Sequence, residues 1–151
     1  MRKAMRRRDF IRVIAGSTAV WPLTARAQQP TSTIRRVGIL LPGGAGTAEA
    51  RSLLEELYRG LKEYGWVDGQ NITFEYRFAD GKEDVLPKIA AELVQLRLDA
   101  IVAEGTPAIQ AAKNATRTVP IVMALSNDPV ASGFVASLNR PGGNITGLDI
   151  Q

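Results

Sequence analysis

The sequence predicts an α/β fold, an open parallel sheet with helices packed on both faces. Three observations carry that expectation. Short apolar runs alternate four times with stretches whose apolar residues recur at helical spacing. The connections after those runs are rich in Gly, Pro, Ser, Thr and Asn, the residues of turns. The length, 151 residues, suits one domain and not two. Right-handed crossovers are the rule for parallel strands, and a doubly wound sheet built this way takes the strand order 2-1-3-4-5.

The elements follow in chain order. Val37-Gly38-Ile39-Leu40-Leu41 reads as a buried parallel strand, and a glycine loop, Pro42 to Thr47, follows it. Leu53, Leu54, Leu57, Tyr58, Leu61 and Tyr64 then form one apolar stripe of a helix. Arg51–Glu55, Glu55–Arg59 and Arg59–Glu63 lie four apart on its wet side, and Gly65 sits where a C-terminal cap belongs. Val67 to Gln70 is a turn, and Ile72 to Tyr76 alternates like a strand.

A second helix starts near Asp84 as N-cap, with Pro87 in its first turn and Val85, Leu86, Ile89, Ala90, Leu93 and Val94 as its stripe. Ala100 to Ala103 is the third strand. Thr106 and Pro107 read as N-cap and first residue of a helix that runs to about Ala115. Ile121 to Ala124 is the fourth strand, followed by the loop Leu125 to Pro129 and a weakly patterned helix over Val130 to Leu138. Arg140-Pro141-Gly142-Gly143-Asn144 is a turn, and Ile145 to Leu148 opens a fifth strand.

The net charge of +4 does not signal nucleic-acid binding, because of where it lies. Residues 1–27 hold seven basic side chains and one acid, a net of +6, so the rest of the chain carries −2. That leader has a basic start, an apolar stretch from Val13 to Leu23 that is too short to span a bilayer, and a small-x-small site at Ala25-Arg26-Ala27. Arg6-Arg7-Arg8-Asp9-Phe10-Ile11 resembles a twin-arginine signal, with a Sec signal as the alternative. Cleavage after Ala27 leaves residues 28–34 as a flexible mature start and residues 35–151 as the folded lobe. With no Cys there is no disulfide and no lipid-anchoring thiol, and with no His the commonest general base and metal ligand are missing. The expected product is therefore exported, soluble in the periplasm, and neither an enzyme nor a metal or cofactor protein.

Ligands of an open α/β sheet bind outside the carboxyl ends of its strands. Three loops qualify. In the first, Gly44-x-Gly46 is followed by Glu49 where a dinucleotide fingerprint needs a small residue, and no Gly-Lys-Ser/Thr ending makes it a P-loop. Asp80 lies more than 30 residues past Gly46, too far to serve as a ribose-binding acid. The glycines and Thr47 at a helix start instead suit a small anion such as a carboxylate. The second loop, Glu104 to Pro107, places the Thr106 hydroxyl at another helix start, where it either caps or binds. In the third, Ser126-Asn127-Asp128-Pro129, Asp128 either accepts a ligand ammonium or closes an Asx-turn. Glu104 and Asp128 are candidate paired carboxylates without an accompanying nucleophile.

"GWVDGQNITFEYRFADG" (Gly65 to Gly81), "LPKIAAELVQLRLDAIVAEGTPAIQAAKNAT" and "PIVMALSNDPVASGFVASLNRPGGNITGL" resemble the substrate-binding proteins of ABC transporters, tryptophan/tyrosine type. The run from Asp128-Pro129-Val130 through Gly133-Phe134-Val135 to Asn144 is the most specific part. The resemblance implies the first lobe of a type I periplasmic-binding-protein fold, truncated before its second lobe. It implies a small solute, an amino acid or related carboxylate, with an ABC permease and the export machinery as partners. It places ligand contacts at Ala45, Gly46, Thr47, Thr106, Pro107, Asn127 and Asp128. The competing classes are a nucleotide-using α/β enzyme domain and a flavodoxin-like or receiver-like signalling module. The leader argues against both, and glycines replace the acid pair that a receiver needs for Mg²⁺.

Overall fold

The protein is described by a computed structural model over residues 34–149. The expected leader, its cleavage site, most of the expected mature start and the last two residues lie outside the described residues. Five parallel strands form one sheet in the order β2-β1-β3-β4-β5. They are β1 (Arg35–Leu41), β2 (Ile72–Phe78), β3 (Ala100–Glu104), β4 (Ile121–Ser126) and β5 (Ile145–Asp149). The helices are α1 (Ala48–Glu63), α2 (Leu86–Gln95) and α3 (Gly105–Ala115). No helix among the described residues is long and apolar enough to cross a membrane.

The period-2 alternation of the strands sorts the core onto two faces. Ile39 and Leu41 of β1, Ile72 and Phe74 of β2, and Val102 of β3 meet Leu53, Leu54, Leu57, Tyr58 and Leu61 of α1. The opposite face takes Leu40, Ile101, Ala103, Ile121 and Met123, covered by the stripes of α2 and α3. Ile39, Leu40, Ile101, Ile109 and Ile121 are fully buried. At the lower end, Asp99 ties β1 to β3 through the Arg35 guanidinium and the Arg36 backbone N–H, both at 2.8 Å. Those bonds, the backbone one foremost, hold its carboxyl below the ordinary carboxylate value.

Several local expectations are corrected. Tyr64 ends α1 as its C-cap and is 86% exposed, so it leaves the apolar stripe; Gly65 follows in the left-handed region. Arg59 pairs with Glu56, one turn back, in place of Glu55 or Glu63. Asp84 caps nothing: a 3-10 turn, Glu83–Val85, runs into α2 with no side-chain cap, and Pro87 does fall in the first turn.

The helix expected over Val130 to Leu138 is a string of turns. Asp128 accepts from Ala131 N–H through Oδ1 at 2.9 Å and from Ser132 N–H through its carbonyl at 3.0 Å, while Gly133 adopts φ +67. A left-handed residue ends a helical path, so the segment folds back. It still buries Phe134 and Val135 against the α3 side of the core.

Candidate functional site

In this strand order the chain leaves β1 for one face through α1 and leaves β3 for the other face through α3. The loops after β1 and β3 therefore part company above neighbouring strands and open a crevice at the carboxyl edge. Two close approaches fix the crevice. Gly105 has φ +75, and a Cβ there would stand 3.9 Å from Pro42 Cγ, so the β3 loop lies against the β1 loop. A Cβ on Gly44 would stand 2.9 Å from Asp80 Oδ1, which brings the β2 loop to the same place. Asp80, too far from Gly46 in sequence to serve a nucleotide, is thus a residue of the rim.

Thr47 is the N-cap of α1, accepting from Ala50 N–H at 3.2 Å and donating to Gly44 O at 3.1 Å. Ala45 and Gly46 are exposed on the rim beside it. The backbone N–H groups of Ala48 and Glu49 donate to no acceptor among the described residues, so this helix start presents free donors beside the glycine loop. Thr106 is exposed and Pro107 half-buried. The residue preceding α3 is Glu104, with no side-chain cap, so Thr106 is not the cap that its position before Pro107 suggested. Asn127 and Asp128 are exposed at the end of β4, and the Asp128 carboxylate already serves the turn described above.

Between α1 and the ends of β3 and β4 lies an open-sided cavity of about 440 Å³, lined by Glu49, Ser52, Leu53, Glu56, Glu104 and Leu125. Glu104 faces α1 because it continues the alternation of Val102 on the same strand. Burial, and then the charge of Glu49, raise its carboxyl above the ordinary range. The acid that acts on Glu104 is therefore on α1, and pairing with Asp128 is not what perturbs it. Leu125, at φ +58, Asp80, at +51, and Asp128, at +43, hold left-handed backbone at this edge. Such conformations cost about 1–3 kcal/mol each and gather at functional sites. Ser126, fully buried at the end of β4, has an Oγ with no hydrogen-bond partner among the described residues. Among those residues no group of three His, Cys, Asp or Glu is placed to hold a metal ion.

Glu104 gives a pH-dependent expectation. A carboxyl with a raised folded-state value ionises in the unfolded chain first. The native state therefore loses stability as pH rises from the ordinary value, 4.5, through the raised one. Glu104→Gln removes that penalty. It should melt above wild type at pH 7 and together with wild type at pH 3.5. Melting curves at the two pH values check this; a variant that melts with or below wild type at pH 7 would show that burial does not penalise the charge.

Residues 49–150 match the model of the family described as ABC transporter substrate binding protein. A "Tyrosine-binding protein" of Clostridioides difficile (strain R20291) is 40% identical over 89 residues, which are 59% of this chain and 26% of that protein. Three solved structures share the fold. The ligand-free, open structure of a substrate binding protein with adhesive properties from Clostridium difficile has TM-score 0.70 and 31% identity, covering 76% of this chain and 38% of that one. An ABC domain in complex with L-Trp from Streptococcus pneumonia has TM-score 0.72 and 26% identity, covering 78% and 39%. A conserved domain protein of Vibrio cholerae has TM-score 0.72 and 32% identity, covering 78% and 39%. The chain thus spans about a quarter of the curated relative and under two fifths of the structural neighbours.

Proposed function

The chain belongs to the ABC transporter substrate binding protein family, and from that premise we propose that it forms one wall of a site for a small zwitterionic solute, an aromatic amino acid, delivered to an ABC importer. One observation supports this most: two opposite poles meet at the first turn of α1. The free N–H groups of Ala48 and Glu49 suit a carboxylate, and the carboxylates of Glu49 and Glu104 suit an ammonium. Leu53 and Leu125 supply apolar surface beside them. The relative named for tyrosine and the neighbour holding L-Trp support the aromatic class.

Ala45, Gly46, Thr47, Thr106, Pro107, Asn127 and Asp128 are the proposed contacts of the rim, and a second lobe closing over them would supply the opposite wall. The reading makes the protein a periplasmic binder, not an enzyme, with an ABC permease as its membrane partner. Good small-molecule sites bury most of the ligand. One wall should therefore bind L-Tyr or L-Trp with a dissociation constant on the order of a millimolar, about 4 kcal/mol. Isothermal titration of the full chain against L-Tyr, L-Trp and L-Ala checks this. No saturable heat with either aromatic amino acid, or equal affinity for L-Ala, would sink the aromatic assignment.

A further inference from the structure

The turn Arg140-Pro141-Gly142-Gly143-Asn144 lies at the opposite end of the sheet from the solute crevice, since Asn144 immediately precedes the first residue of β5. With the end of α3 it encloses a concave pocket of about 550 Å³, within the size range of ligand pockets. Lys113, Asn114, Arg117, Gly142, Gly143 and Asn144 supply its polar lining, which contains two cations and no carboxylate.

The backbone N–H groups of Gly142, Gly143 and Asn144 donate to no acceptor among the described residues. Gly142 is left-handed at φ +77, the kind of backbone in which successive N–H groups form an anion-binding concavity. A Cβ on Gly143 would meet open space, so nothing crowds an approaching ligand. The turn is braced from behind. Ala136 N–H donates to Pro141 O at 3.0 Å, Ile121 N–H to Asn144 O at 2.7 Å, and Asn144 Nδ2 to Val119 O at 2.8 Å.

Lys113 has a structural task, since its Nζ donates to Gly133 O at 2.5 Å, lies over the Phe134 ring and offsets the negative end of α3. Arg117 has no hydrogen bond or ion pair among the described residues, and it lines the same pocket as the three residues with unspent amides. We propose that this pocket is a second ligand site, separate from the solute crevice, that takes a small oxyanion of the phosphate or carboxylate class. Arg117 gives the oxyanion a charge-assisted fork, and the amides of Gly142 to Asn144 complete the cradle.

The test is an amide-resolved NMR titration of the full chain with inorganic phosphate, and separately with succinate, at constant ionic strength. Saturable shifts at Gly142, Gly143 and Asn144 with either anion are expected. Arg117→Gln should weaken that anion at least about tenfold, the loss of its charge-assisted fork, while Arg140→Gln, whose residue begins the turn but does not line the pocket, leaves it unchanged. Shifts that grow linearly without saturating would overturn the proposal, and so would equal weakening by both variants. The two sites are read apart by residue: shifts at 142–144 report on this pocket and shifts at 43–49 on the solute crevice, so failure here leaves the amino-acid reading untouched.

Discussion

Gly147→Ala should destabilise the protein by about 2–5 kcal/mol, a large part of the stability of a domain this size. Gly147 pairs with Met123 across β4 and β5, next to the irregularity between Met123 and Ser126. A Cβ at Gly147 would stand 2.3 Å from Met123 O and 2.6 Å from Met123 N, with φ at +146. Both obstacles are backbone atoms, so relief requires the strands to part. Steric overpacking and a conformation foreign to L side chains each add their cost. Gly60, inside α1, is the control: a Cβ there meets nothing within 4 Å, and Ala should stabilise by about 0.5–1 kcal/mol. Urea denaturation of the two variants beside wild type decides. A Gly147→Ala protein within about 1 kcal/mol of wild type would mean that β5 does not sit in this register.

The second large effect concerns export. The proposed periplasmic role needs the leader to work, and its paired arginines precede Phe10-Ile11 by one residue, Asp9. Changing Arg7 and Arg8 together to Lys keeps the charge and removes the pair. If the leader is a twin-arginine signal, the double variant should accumulate almost entirely as uncleaved precursor in the cytoplasm, whereas wild type should reach the periplasm and be cut near Ala27. A cell-fractionation blot reads both location and size. Normal processing of the variant would leave Sec export as the route.

Much of the fold is legible in the sequence because its strongest signals are periodic. The stripe of α1 from Leu53 to Leu61, the stripe of α2 from Val85 to Val94 and the apolar runs of β1, β3 and β4 each bury where the spacing puts them. Strand order follows from crossover handedness and the doubly wound pattern, and the sheet has that order. The segment Val130 to Leu138 was misread because a local bond competes with the helix: Asp128 closes a turn that Gly133 then ends. The caps at Asp84 and Thr106 were misread because residue type shows only that a side chain is able to cap. Whether the backbone turns at that residue is decided elsewhere, here by Gly105.

The crevice was legible as three loops, because strand ends are where α/β sheets bind. Its inner composition was not. Glu104 meets α1 through strand alternation and the packing of Glu49 and Leu53 above it. Asp80 reaches Gly44 only because β2 pairs with β1 from Arg35↔Ile72 to Leu41↔Phe78. Ser126 carries no signal beyond a polar residue at a strand end.

The central claim is that the carboxyl edge of β1, β3 and β4 is one wall of an amino-acid site. An amide-resolved NMR titration of the full chain with L-Trp tests it most directly. Saturable shifts concentrated at residues 43–49, 104–107 and 125–128 are the predicted result. Saturable shifts centred instead on the apolar hollow around Tyr58, Trp66 and Phe74, at the far end of α1, would contradict it.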